Sequence, residues 1–158
     1  MELELDFAGS LDLRFRAQPE TMAIARATLR LATSNLDLRH RFRCFGFDLE
    51  QFADSLRVFH NGSAEAAKFE SFDGSTRIEF SYEDARFGAL RTAVELGAMT
   101  VEPDFRERQH FRGTSLNQSS LVTVASRIDA FLLETGLDTH HPHSIGDRLQ
   151  SPWGGGST

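Results

Sequence analysis

The sequence predicts an α+β domain: an antiparallel β-sheet, in the order strands, helix, strands, helix, with two amphipathic helices packed on it. Three observations lead there. Apolar and polar residues alternate with period two over most of the first 96 positions, as in strands with one buried face. A helix-start signature followed by an apolar stripe interrupts that alternation near Asp48, and a second helical stripe ends near Leu132.

The first strand is the plainest: Leu3, Leu5 and Phe7 alternate with Glu2, Glu4 and Asp6. Ala8-Gly9-Ser10 turns the chain, and Leu11, Leu13 and Phe15 alternate with Asp12, Arg14 and Arg16. Pro19 ends this second strand, because proline cannot donate to a ladder. A third strand runs from about Met22 to Thr33, carried by Leu29 and Leu31, although Ala23, Ala25 and Ala27 favour helix. Ser34-Asn35 is a turn, and Leu36, Leu38, Phe42 and Cys44 continue a fourth strand.

A helix is expected over 49–60. Asp48 is placed as its cap with Gln51 three residues later, and Phe47 with Phe52 as a hydrophobic staple. Leu49, Phe52, Leu56 and Phe59 share one face, and Asn61-Gly62 stops it. Asp73-Gly74 between two alternating runs signals a hairpin, with Phe69 before it and Ile78, Phe80 and Tyr82 after it. Glu83 to Arg86 is a polar turn, and Leu90, Thr92, Val94 and Leu96 share a strand face. Glu102 to Arg112 reads as a loop of mutually compensating charges, followed by a short strand over 111–116. The second helix is capped by Ser119 or Ser120, carries Leu121, Val124, Ala125, Ile128 and Leu132 on one face, and ends at Gly136. The domain is therefore 1–136, and 137–158, which finishes in Gly154-Gly155-Gly156-Ser157-Thr158, is a flexible tail.

Composition narrows the function classes. The chain has 158 residues and a net charge of −6, so phosphate-rich partners are repelled on average and nucleic acid is disfavoured. Cys44 is the only cysteine, which excludes an internal disulfide and any multi-cysteine metal site. The acidic start lacks the basic and apolar segments of a secretory signal, and no window has the apolar length of a membrane span. The expected location is the cytoplasm. Basic charge is almost all arginine, since Lys68 is the one lysine among 17 basic residues. Phenylalanine dominates the aromatics, with 14 copies that fall mostly on inward-facing positions and so belong to a core.

Catalytic constellations are sparse. His140, His141 and His143 form the densest ligand cluster, but Pro142 and the tail deny them fixed geometry, so no metal or cofactor is expected. His60 and Ser63 lack an orienting third group, and Cys44 sits between rings as a buried strand residue. No glycine pattern cradles a phosphate. No catalytic residue is assigned. Arg39, Arg41 and Arg43 point to one strand face around an aromatic, a basic stripe of the kind nucleic-acid surfaces carry, and they are candidate partner-binding residues; their ordinary role is a solvated face paired with acidic neighbours.

The segments FDLEQFADSLRVFHNGSAEAAKFESFDGSTRIEFSY, FGALRTAVELGA and FRGTSLNQSSL, in this order after four strands, resemble small bacterial domains grouped with the WapI-type immunity proteins of toxin systems. The likeness spans about 1–135 and rests on Leu56, Gly62, Asp73-Gly74, Gly88 and the last helix. It implies a cytoplasmic, non-enzymatic protein that binds and blocks a toxin. On that reading Glu70, Asp73 and Glu79 of the hairpin meet a basic cleft. The alternative is a ligand-binding protein or small enzyme whose site lies between sheet and helices and gathers His40, His60 or His110 with carboxylates. The sequence leaves oligomeric state and sheet edges open.

Overall fold

A computed structural model describes residues 1–7, 10–18, 23–84, 86, 89–97, 113–117 and 119–140. The α+β class holds. Strands β1 (Glu2–Phe7), β2 (Leu11–Ala17), β3 (Ile24–Ala32) and β4 (Asp37–Phe45) precede helix α1 (Gly46–His60). Strands β5 (Ala66–Glu70), β6 (Thr76–Asp84), β7 (Ala89–Leu96) and β8 (Gly113–Asn117) then lead to helix α2 (Ser119–Thr135). The strands form two antiparallel sheets, β1-β2-β3-β4 and β5-β6-β7-β8, where alternation alone suggests a single one. Period-two patterning marks which face of a strand is buried, and it is silent on whether strands separated by a helix pair.

The alanines of β3 are strand residues, against their helix preference. Ala25 and Ala27 lie on the buried face with Leu29 and Leu31. One row of the register explains the choice: Ala27 stands between Phe15 of β2 and Phe42 of β4. Those two rings meet edge-on, with centroids 6.1 Å apart, over the small side chain between them. Packing decides against propensity here.

Eight of the eleven described phenylalanines are buried, and their contacts weld the elements together. Phe69 of β5 touches Phe15, Phe42 and Phe52, at 6.1, 5.9 and 5.4 Å between centroids. Phe80 of β6 touches Phe7 of β1 at 5.1 Å and Phe52 at 6.3 Å. Both sheets thus turn their apolar faces to one core, into which α1 inserts Phe52. The expected stripe Leu49, Phe52, Leu56 and Phe59 is wholly buried, as are Leu121, Val124, Ala125, Ile128 and Leu132 of α2. Arg57 links the helices through Asp129. No helix among the described residues is long and apolar enough to cross a membrane.

The start of α1 differs from expectation. The helix begins at Gly46, directly after β4, so Phe45 is the cap residue and Asp48 is the third helical position. Phenylalanine has no acceptor, so Asp48 supplies the capping alone: its Oδ2 accepts from the Phe45 N–H at 2.8 Å. The same oxygen accepts from the Phe72 N–H of the β5–β6 turn at 3.1 Å. Gln51 points outward, and Phe45 stacks on Phe72 with centroids 4.1 Å apart.

Packing also continues past residue 136. Gly136 closes α2 with φ of 67°, but Leu137 is buried, and a Cβ on Gly46 would stand 2.5 Å from the Asp138 carbonyl oxygen. A contact that short with backbone forces a shift. Gly46→Ala is therefore expected to destabilise the fold by about 1–3 kcal/mol and to displace Leu137. Urea denaturation measures the first effect, and proteolysis after Asp138 the second. A variant as stable as the parent would show that this segment is not held against α1.

Candidate interaction surface

The outer face of the first sheet is compensated on one half and not on the other. Its β1–β2 half is balanced: Arg16 pairs with Glu2 at 3.0 Å, and Arg14 with Glu4 and Asp12, each at 3.3 Å. Its β3–β4 half is not. Arg39, Arg41 and Arg43 are exposed, on one face as alternation requires, but their cross-strand neighbours are Arg30, Thr28 and Arg26 rather than acids. Two of these rows set arginine directly opposite arginine. Arg30 is answered by Asp37 at 3.1 Å and Arg26 lies within reach of the Gln18 amide oxygen. No ion pair engages the guanidiniums of Arg39, Arg41 or Arg43 among the described residues.

Hydrogen-bond parity makes the juxtaposition tighter. Gly46 donates its N–H to Ala23, toward β3, while the Phe45 N–H points the other way, to Asp48. Even-numbered residues of β4 therefore face the ladder with β3, and the arginines occupy the non-hydrogen-bonded pairs, in which side chains stand closest. Like charges directly opposite in such pairs destabilise a sheet. Sequence reasoning found three of these arginines and missed Arg26 and Arg30.

A groove of about 700 Å³ runs along this edge. Arg26, Arg41 and Arg43 line it from the outer face, His40 and Phe42 from the inner side of β4, and Asp73 and Ser75 from the β5–β6 turn. The turn is fixed by its own polar groups. Asp73 accepts from the Ser71 hydroxyl at 2.6 Å and the Ser75 N–H at 2.9 Å, and its carboxylate faces the Arg43 backbone. Burial alone raises the Asp73 carboxyl, but these hydrogen bonds outweigh it and hold it below its ordinary value. His40 lies against Ser75 Oγ at 3.4 Å and stacks on Phe42; burial lowers its pKa despite Asp73 nearby, which favours the neutral ring near pH 7.

The remaining candidates separate. Glu70 is paired with Arg77 at 3.4 Å, and Asp73 is committed to its turn. Glu79 sits on the outer face of the second sheet, between Lys68 and Ala93 in register. His60 ends α1, about 20 Å along the helix from Gly46, so it does not join His40. His110 lies outside the described residues, as do Gly88, His141, His143, the 102–112 loop and 141–158. His140 contacts Asp138. Cys44 is fully buried, and burial raises its thiol well above the ordinary value, with Asp48 and Asp73 adding to the rise, so it is a core residue. The described residues contain no group of three metal-ligating side chains. Among the described residues the space between the sheets and the helices is filled by leucine and phenylalanine side chains. Comparison with protein-family models, with curated proteins and with solved structures finds no match to this chain.

Proposed function

We propose that this chain is a non-catalytic protein-binding module whose contact surface is the arginine-bearing β3–β4 half of the first sheet. The carrying observation is the paired arginine rows: Arg26 opposite Arg43 and Arg30 opposite Arg39. A sheet keeps such rows at a cost in stability, and an anionic partner removes that cost by supplying the missing carboxylates. Arginine suits the task because its planar fork engages a carboxylate with two parallel hydrogen bonds. Glu70 and Asp73 have internal partners, so the hairpin acids are the weaker candidates for contact.

An immunity protein is one member of this class: the resemblance to WapI-type domains implies a toxin as the partner, and the arginine face asks for an acidic surface on it in place of the basic cleft expected from the hairpin acids. Co-expression with each toxin encoded beside its gene tests the reading, with growth protection and co-purification as readouts. The expected result is a complex that the triple variant R39E/R41E/R43E weakens roughly 100-fold, about 1 kcal/mol for each reversal. The double variant E70Q/E79Q is expected to bind within threefold of the parent. The opposite ranking would move the contact surface to the second sheet, and no complex with any such toxin would remove the immunity role.

A further inference from the structure

The groove beside β4 is bounded by a strand edge as well as by charge. In the first sheet β4 has one neighbour among the described residues, β3, so its other side is an edge. The parity established above directs the N–H and C=O groups of its odd-numbered residues to that side. At the α1 end they are used: Phe45 donates to Asp48, and the Arg43 backbone faces the Asp73 carboxylate. Beyond them, Arg41 lines the groove and Arg39 continues the same edge, with no strand paired to either on that side among the described residues.

We infer that this edge accepts an extended acidic segment of a protein partner as a fifth strand, its carboxylates alternating onto the arginine face. The inference rests on the binding reading above and specifies how and with what chemistry contact is made. A strand added to an edge satisfies its backbone first and presents every second side chain to the same face. Carboxylates at i and i+2 of the incoming strand fall beside Arg39, Arg41 and Arg43, in the positions that acids would need to hold to balance those rows. Its intervening side chains fall on the inner side, beside His40 and Phe42, where small apolar groups fit.

The charge also discriminates among other occupants. A second copy pairing through the same edge would set the arginines of one β4 beside those of the other, so self-association is repelled. Charges that only block aggregation belong on the edge strand itself, whereas Arg26 and Arg30 stand on β3 beside it. A single-stranded nucleic acid needs a row of exposed rings for base stacking; Phe7, Phe15 and Phe42 of this sheet are buried, and the half-buried Phe45 is already covered by Phe72.

The test uses the whole chain and a labelled ten-residue peptide of alternating glutamate and valine, followed by fluorescence anisotropy. Saturable binding is expected, weakened at least tenfold by R39E/R41E/R43E and by the milder R41Q/R43Q, and absent for an alternating lysine–valine peptide. Two N-methylated peptides, with the methyl groups on one or the other set of alternate residues, separate strand addition from charge alone. One set is expected to lose at least tenfold and the other to bind as the parent peptide. Equal binding of both sets would overturn strand addition while leaving the arginine face as a contact surface. Tight binding of a partner protein through the arginines, with none of the peptide, would likewise overturn this inference and spare the broader reading. Preferential binding of a single-stranded oligonucleotide, or dimerisation through β4, would overturn the choice of occupant.

Discussion

Alanine at Phe69 is expected to lower the free energy of unfolding by about 3–5 kcal/mol, the cost of removing a buried aromatic ring and leaving its cavity. Phe69 is 1% exposed and is the ring at which the two sheets and α1 meet, through Phe15 and Phe42 on one side and Phe52 on the other. The surrounding rings belong to different elements and cannot close the gap together without moving a sheet or the helix. Phe72 supplies the contrast. It stacks on Phe45 but is 41% exposed, so Phe72→Ala is expected to cost less than about 1 kcal/mol. Urea unfolding followed by circular dichroism gives both values. If Phe69→Ala costs no more than Phe72→Ala, the two sheets do not share a core at this ring.

The same ring cluster marks what the sequence makes legible. Alternation picks out Leu3, Leu5, Phe7, Leu11, Leu13 and Phe15 as inward residues, and all six are buried. The α1 stripe and the Asp73-Gly74 hairpin are equally local: Gly74 has φ of 71° and donates to Ser71, as a tight turn requires. The helix start was harder to place, because Asp48 has the chemistry of a cap and sits three residues inside, where it serves a cap residue that has no acceptor. The division into two sheets is beyond local pattern, since it depends on which strand edges α1 keeps apart. The arginine rows lie between these cases. The turn at Ser34-Asn35 joins Thr33 to Leu36 by backbone hydrogen bonds, so strand partners are the residues equidistant from it. Arg30 and Arg39 are such a pair, and so are Arg26 and Arg43. The signal was present in the sequence, but reading it means counting outward from the turn rather than along a single strand.

The second large effect concerns Asp48 and has a sign that depends on pH. Burial raises the carboxyl of Asp48 from 3.8 to about 6, against the lowering by the hydrogen bonds from Phe45 and Phe72; Asp73 and Glu70 add to the rise. In the unfolded chain it ionises near 3.8, so between about pH 4 and pH 6 the folded state binds more protons than the unfolded one. This group therefore adds to stability at low pH, and its contribution falls as pH rises through that window. A shift of about two units corresponds to roughly 3 kcal/mol. Asparagine keeps an acceptor oxygen for both N–H groups and removes the desolvated charge. Asp48→Asn is thus expected to match the parent below about pH 4 and to exceed it by roughly 3 kcal/mol above pH 7. Asp48→Ala leaves two backbone donors without their acceptor and is expected to lose about 2–4 kcal/mol against Asp48→Asn at any pH. Asp73 has the opposite sign, since its folded pKa is lowered and its contribution is lost as pH falls through that lowered value. Urea unfolding of parent, Asn and Ala chains at pH 3.5, 5 and 7.5 separates the terms. A parent-to-Asn difference that stays constant over that range would mean that Asp48 ionises alike in both states. The two variants also separate stability from function: Asp48 ties Phe72 to the start of α1, and the turn that follows Phe72 walls the groove through Ser75. The asparagine chain should bind the acidic strand as the parent does, and the alanine chain should bind it more weakly even at temperatures where it remains folded.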